Sequence, residues 1–169
     1  MLKYNSPKFY FWTVYSLGYI TRTDENQTYR PHFDRRHNVN LIATYKFGFE
    51  NTWSLDARWN FGTGFPFTQT QGFYPLVNFE DGISTEYQQE SGDLGIIYAE
   101  LNQGRLPYYH RLDIALKKDY QLSKYSKLSW NVGLTNAYNR ENIFYFNRIE
   151  YKRVNQLPFM PSAGISLTF

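Results

Sequence analysis

Pro161-Ser162-Ala163-Gly164-Ile165-Ser166-Leu167-Thr168-Phe169 ends the sequence, and its alternate residues fall into two sets. Ala163, Ile165, Leu167 and Phe169 are apolar, whereas Ser162, Gly164, Ser166 and Thr168 are small or polar. A period of two belongs to a β-strand with unlike faces. A free terminus tends to fray into water, so a final Phe suits an apolar boundary better than a soluble surface. Trp53 to Phe61 keeps the same period more strictly. Trp53, Leu55, Ala57, Trp59 and Phe61 alternate with Ser54, Asp56, Arg58 and Asn60, and no helical period fits. Asp56 and Arg58 on one face point to water there, because a closed core holds no charge without a partner.

Working outward, the same alternation predicts about six strands. Residues 9–21 carry Phe9, Phe11, Tyr15, Leu17 and Tyr19 on one face, with Trp12 and Val14 as exceptions on the other. Residues 38–47 put Val39, Leu41, Ala43, Tyr45 and Phe47 together, with Ile42 as the exception. Residues 109–120 alternate Leu112, Ile114, Leu116 and Tyr120 with Arg111, Asp113, Lys117 and Asp119, and Lys118 interrupts the apolar set. In residues 128–135, Leu128, Trp130, Val132 and Leu134 alternate with Ser129, Asn131, Gly133 and Thr135.

The connections alternate in length. Residues 48–52 and 121–127 are short turns, whereas 21–36, 62–107 and 136–160 are long. Outer-membrane barrels have short turns on the periplasmic side and long loops outside. Aromatic residues gather at the expected strand ends, Phe47, Phe49 and Trp53 at one and Trp59, Phe61, Tyr108 and Tyr109 at the other. Two aromatic girdles would lie there. Strands of this length cross a bilayer at a tilt, which takes roughly 9–11 residues. Six strands do not close a barrel, and open edges in lipid are prohibitively costly. The expected fold is therefore all-β: an antiparallel meander of about six long transmembrane strands, the C-terminal portion of a larger outer-membrane β-barrel.

Composition agrees with that class. The 169 residues include 16 Tyr, 14 Phe and 4 Trp, and 18 Lys and Arg stand against 15 Asp and Glu. Mean hydropathy is only −0.59. A barrel with a polar lumen combines many aromatics with low hydropathy. The positive charges are scattered, which argues against nucleic acid as a partner. The absence of cysteine excludes disulfides and thiolate metal sites. Met1-Leu2-Lys3-Tyr4-Asn5 does not open a signal peptide. A targeting sequence for an exported protein would be expected on a part of the chain outside this sequence.

Several motifs carry a family resemblance. They are Asp34-Arg35-Arg36-His37, Gly64-Phe65-Pro66-Phe67-Thr68, Arg105-Leu106-Pro107-Tyr108-Tyr109-His110-Arg111-Leu112-Asp113, Asn136-Ala137-Tyr138-Asn139-Arg140-Glu141-Asn142 and Leu157-Pro158-Phe159-Met160-Pro161-Ser162. In order and spacing, over about residues 8–169, they resemble the C-terminal barrel half of TonB-dependent outer-membrane receptors, especially the Bacteroidetes type. The resemblance implies a barrel of about 22 strands with a plugged lumen. It implies import of an iron–siderophore complex, cobalamin or a glycan across the outer membrane of a Gram-negative bacterium. Its partners would be outer-membrane lipid, the remainder of the barrel and its plug, and the TonB complex through an N-terminal part. Phe169 would be read by the barrel-assembly machinery.

Candidate ligand contacts follow from charge and ring chemistry. Arg35 and Arg36 either anchor a rim loop or meet an anionic ligand, with Arg105 and Arg140 as further rim cations. Phe73, Tyr74 and Tyr87 in the long connection either stack on a ligand or pack the loop. Its middle, residues 77–103, reads as an acidic loop with Glu80, Asp81, Glu86, Glu90 and Asp93. It is expected to contribute stacking in place of charge pairs. Arg111 and Asp113 share a strand face and suggest a charge pair. His32, His37 and His110 stand on separate segments and suggest hydrogen bonding in place of a metal site. No Gly-x-Ser-x-Gly elbow accompanies them, so neither catalytic residue nor cofactor is expected. The competing readings are a soluble β-sandwich that binds carbohydrate and an outer-membrane enzyme such as a phospholipase.

Overall fold

The computed structural model describes residues 1–76 and 93–169. In chain order the strands begin with β1 (Leu2–Asn5), β2 (Phe9–Leu17), β3 (Arg22–Thr23), β4 (Thr28–Tyr29) and β5 (His37–Phe47). Then come β6 (Trp53–Gly62), β7 (Pro66–Phe67), β8 (Thr70–Leu76), β9 (Asp93–Tyr98) and β10 (Gly104–Arg105). The last are β11 (Tyr109–Gln121), β12 (Lys127–Thr135), β13 (Ile143–Asn147), β14 (Lys152–Asn155) and β15 (Met160–Thr168). The fold is all-β with antiparallel pairing throughout the described residues.

Two compact units divide the chain. The first, Met1–Tyr19, Arg35–Gly64 and Leu106–Phe169, holds a seven-stranded sheet in the order β1-β2-β5-β6-β11-β12-β15. Each sheet strand pairs with the next sheet strand along the chain, so the sheet is an open meander with β1 and β15 at its edges. The five long strands expected after residue 37 are present. The first predicted strand ends at Leu17, before residue 21, and Leu2–Asn5 adds a seventh that the sequence pattern had not marked.

Register, more than pattern, defines the two faces. Tyr15, Val39, Phe61 and His110 are successive cross-strand partners, as are Phe11, Ala43, Ala57, Ile114, Leu134 and Pro161. Phe9, Tyr45, Leu55, Leu116, Val132 and Ala163 form the next row, and Phe47, Trp53, Lys118, Trp130 and Ile165 the one after. Directly opposite residues share a face, so these rows make one apolar face across the whole sheet. Among the described residues no hydrophobic side chain is buried. Leu55, Val132, Ile165 and Leu167 are all exposed.

The opposite face is polar and internally paired. Thr44 Oγ1 donates to Asp56 at 2.5 Å, and Asn60 Nδ2 donates to Asn40 Oδ1. The expected Arg111–Asp113 pair forms at 2.9 Å. Asp119 takes Lys127 at 3.0 Å and the Ser129 hydroxyl at 2.7 Å. Two of the three apolar exceptions noted on this face lie directly opposite one another, Trp12 against Ile42, and the third, Val14, faces Asn40.

Tight turns join β1 to β2, β5 to β6 and β11 to β12, and long connections alternate with them. In the β5–β6 turn Gly48 has φ 80°, and Glu50 and Asn51 have φ 53° and 55°. Glycine reaches this region without steric penalty. A Cβ at Gly48 would also lie 2.8 Å from the Trp53 ring. The β12–β15 connection, expected only as a long connection, contains the hairpin β13–β14.

The second unit, Ile20–Asp34 and Phe65–Arg105, consists of three small hairpins, β3–β4, β7–β10 and β8–β9. Two corrections concern it. The ends of the long connection, where the sequence leaves room for extensions of the flanking strands, lengthen β6 by Gly62 alone and otherwise form strands of their own. Asp93–Tyr98, expected within a loop, is a strand paired with Thr70–Leu76. Leu94-Gly95-Ile96-Ile97-Tyr98 puts apolar residues on both faces, which hides a period of two. Residues 77–92 of the acidic loop, with Glu80, Asp81, Glu86, Tyr87 and Glu90, lie outside the described residues.

Candidate functional site

Within the first unit, the motif residues Arg35 to His37, Gly64, Leu106 to Tyr109 and Asn136 to Asn142 lie at the ends of the sheet strands from which the long connections leave. Gly64 is pressed against the next crossing of the chain: a Cβ there would lie 1.6 Å from the Leu106 carbonyl oxygen. Thr63 brackets the start of β5, its N–H donating to the His37 carbonyl at 3.0 Å and its Oγ1 accepting the His37 N–H at 3.2 Å. Arg35 lies across Gly62, whose added Cβ would meet its Cδ and Nε at 2.6 Å. Its guanidinium stands 5.3 Å from the Tyr109 ring centre. Burial lowers the Arg35 pKa from the usual arginine value, with the Tyr109 hydroxyl acting the other way. Arginine remains charged at neutral pH despite such a shift. Arg36 stacks on Tyr19 at 5.0 Å, and its carbonyl accepts the Gly18 N–H at 2.9 Å.

Arg140 is held in the same manner. Its Nη2 donates to the Tyr108 carbonyl at 3.0 Å. In the second unit, Arg105 forms an ion pair of 2.6 Å with Asp34, whose side chain is 1% exposed. A carboxylate so buried needs a cation beside it. All four arginines thus have internal contacts within their own units that position backbone or balance charge.

The sequence reading missed the polar hub of this end. Asn136 is fully buried with φ 53°. Its Nδ2 donates to the carbonyls of Arg140 at 2.9 Å and Leu157 at 3.0 Å, and its Oδ1 accepts the Arg140 N–H at 2.9 Å. Its own N–H donates to Asp113 Oδ1 at 3.0 Å. Asn142, 4% exposed, treats His110 as a strand neighbour would. Its Oδ1 accepts the His110 N–H at 3.2 Å and its Nδ2 donates to the His110 carbonyl at 2.9 Å. The pairing of β12 with β11 ends at Leu134–Ile114. The side chain of Asn142 and the N–H of Ala137, which reaches the Leu112 carbonyl at 2.7 Å, satisfy the β11 backbone beyond that point. A run of Asn, Tyr and Arg reads as a turn. Its partners lie too far away in sequence to reveal more.

Phe73 and Tyr74 occupy opposite faces of the β8–β9 hairpin. Phe73 pairs with Ile96, and the Tyr74 ring lies over Gly95, whose added Cβ would meet its Cζ at 2.3 Å. Adjacent strand residues point apart, so these two rings do not form a single stacking surface. Tyr87 lies outside the described residues.

The histidines sit in separate contacts. His37 Nδ1 is 2.9 Å from the Tyr15 hydroxyl, His110 Nδ1 is 2.7 Å from the Tyr138 hydroxyl, and His32 packs edge-on against Phe33. Among the described residues no three potential metal ligands cluster. Phe169 follows the last strand and is 93% exposed. Comparisons with family models, with curated proteins and with solved structures find no match for this chain.

Proposed function

We propose that this chain forms part of the wall of an outer-membrane β-barrel transporter, the C-terminal portion of a TonB-dependent receptor. The receptor imports a scarce nutrient, an iron–siderophore complex, cobalamin or a glycan, with energy passed from the inner membrane. The observation that carries the reading is the apolar face. Six strands align their apolar residues in register, no hydrophobic side chain among the described residues is buried, and the opposite face holds charge pairs. Water would penalise such a face over so many strands, whereas hydrocarbon would not. A sandwich would place apolar side chains between two sheets, and that burial is missing from the described residues.

Further support comes from the aromatic rows. Phe47, Trp53 and Trp130 lie near one end of the sheet, with Trp53 and Trp130 edge-to-face at 5.5 Å. Trp59, Phe61 and Tyr108 lie near the other, with neighbouring rings at 5.8 Å. From Trp53 to Phe61 the strand rises about 26 Å, which at the usual tilt spans about 19–22 Å of bilayer. The open edges at β1 and β15 would pair with the remaining barrel strands.

Fractionation and uptake test the proposal together. The protein carrying this chain should sediment with outer membranes and resist alkaline extraction. Cells should accumulate a labelled ferric siderophore, cobalamin or oligosaccharide, and collapse of the inner-membrane proton gradient should stop accumulation while leaving surface binding intact. A freely soluble protein would refute the membrane reading. Uptake indifferent to the proton gradient would refute energy coupling.

A further inference from the structure

Lys118 is the one Lys or Arg on the apolar face among the described residues of the seven-stranded sheet. Lys3, Lys46, Arg58, Arg111, Lys117 and Lys127 all fall on the polar face by register. Lys118 stands between Trp53 on β6 and Trp130 on β12, directly opposite both. Its ammonium lies 4.6 Å from the Trp53 ring centre and 5.1 Å from that of Tyr120. Unlike Lys117 and Lys127, which share Asp119, it has no carboxylate partner among the described residues. Its polar contact is the Thr52 hydroxyl at 3.1 Å, and that hydroxyl in turn donates to the Phe49 carbonyl at 3.0 Å. An ammonium has three donors, so Thr52 leaves two for another acceptor.

We infer that Lys118, with Trp53, Trp130 and Tyr120 around it, holds the phosphate of an anionic phospholipid. The inference rests on the membrane reading above and adds a headgroup preference to it. The aromatic faces attract the ammonium through their ring quadrupoles. The side chain's own methylene stem covers apolar surface while its head reaches the boundary. The apolar face that continues from this site through Leu116, Leu55 and Val132 would take the acyl chains. A free phosphate uses only the ammonium, and a phospholipid uses both.

Tryptophan quenching by brominated lipids tests this on the protein carrying this chain in zwitterionic detergent micelles. Brominated phosphatidylglycerol and brominated phosphatidylcholine are compared at equal mole fraction. The glycerol lipid should be enriched about fivefold near the tryptophans, the factor expected for one lysine at an anionic surface. Lys118→Gln should abolish the preference. Lys124→Gln, in the β11–β12 turn, should retain it, as should Lys118→Arg, which guards against a folding artefact. Inorganic phosphate in the aqueous phase should leave the preference intact. Equal quenching by the two lipids, or a preference that survives Lys118→Gln, overturns the headgroup site and leaves the membrane reading standing. Competition by inorganic phosphate reassigns the site to a soluble anion and overturns the lipid. Absence of quenching by either lipid defeats the membrane reading and the inference with it.

Discussion

Placing a charge at successive depths on one strand gives the sharpest mutational test. Ala57 lies in the row midway between those of Trp53 and Phe61, and Leu55 lies halfway from that row to the Trp53 end. Arginine at the bilayer midplane of a barrel costs about 2–4 kcal/mol, falling to about 0–1 near the interface. Ala57→Arg should therefore cost about 2–4 kcal/mol and Leu55→Arg about 1–2 kcal/mol. Ser54, next to Leu55, faces the other side between Lys46 and Lys117. Ser54→Arg meets like charge in water and should cost about 0.5 kcal/mol. Ser54→Glu, between the same lysines, should be neutral or slightly stabilising. The assay is a urea titration, followed by tryptophan fluorescence, of the protein carrying this chain in phosphatidylcholine vesicles. Equal destabilisation by Ser54→Arg and Ala57→Arg would refute the assignment of faces.

Three further outcomes are expected. Asn142→Ala removes both bonds to the His110 backbone and should cost about 2–4 kcal/mol, with faster hydrogen exchange at the His110 amide as the local readout. Arg105→Gln leaves the buried Asp34 uncompensated and should cost about 2–4 kcal/mol; adding Asp34→Asn should restore most of that, as limited proteolysis of the 20–34 and 65–105 segments would report. Gly64→Ala forces the Leu106 carbonyl away and should cost about 3 kcal/mol or more, whereas Gly72→Ala, with its nearest neighbour at 3.8 Å, should be tolerated; thermal melts separate the two.

The long strands were legible because one apolar face spans them all, which imposes a strict period on Trp53–Gly62 and Lys127–Thr135. Leu2–Asn5 was not, since four residues at a sheet edge carry too little pattern. The order and spacing of the rim motifs were also visible, but what they do was not. Arg105 and Asp34 are joined across 71 residues, and Asn142 and His110 across 32. Such pairings depend on which segments fold back together, and no local spacing encodes that. The same distance explains why Arg35, Arg36, Arg105 and Arg140 read as available cations although each has an internal contact. Lys118, an apparent error in the alternation, becomes intelligible only when register sets it between two tryptophans.

Single-cysteine accessibility tests the central claim most directly, because the chain has no cysteine to remove. Cysteine would be placed at Leu55, Leu116 and Val132 on the apolar face, and at Ser54, Asn131 and Ser162 on the polar one. The protein carrying this chain would then be labelled in isolated, permeabilised outer membranes. The account predicts that a water-soluble maleimide modifies the second set and spares the first, because a thiol facing hydrocarbon is neither reached by the reagent nor ionised. Equal labelling of both sets by the water-soluble reagent would contradict a lipid-facing apolar surface.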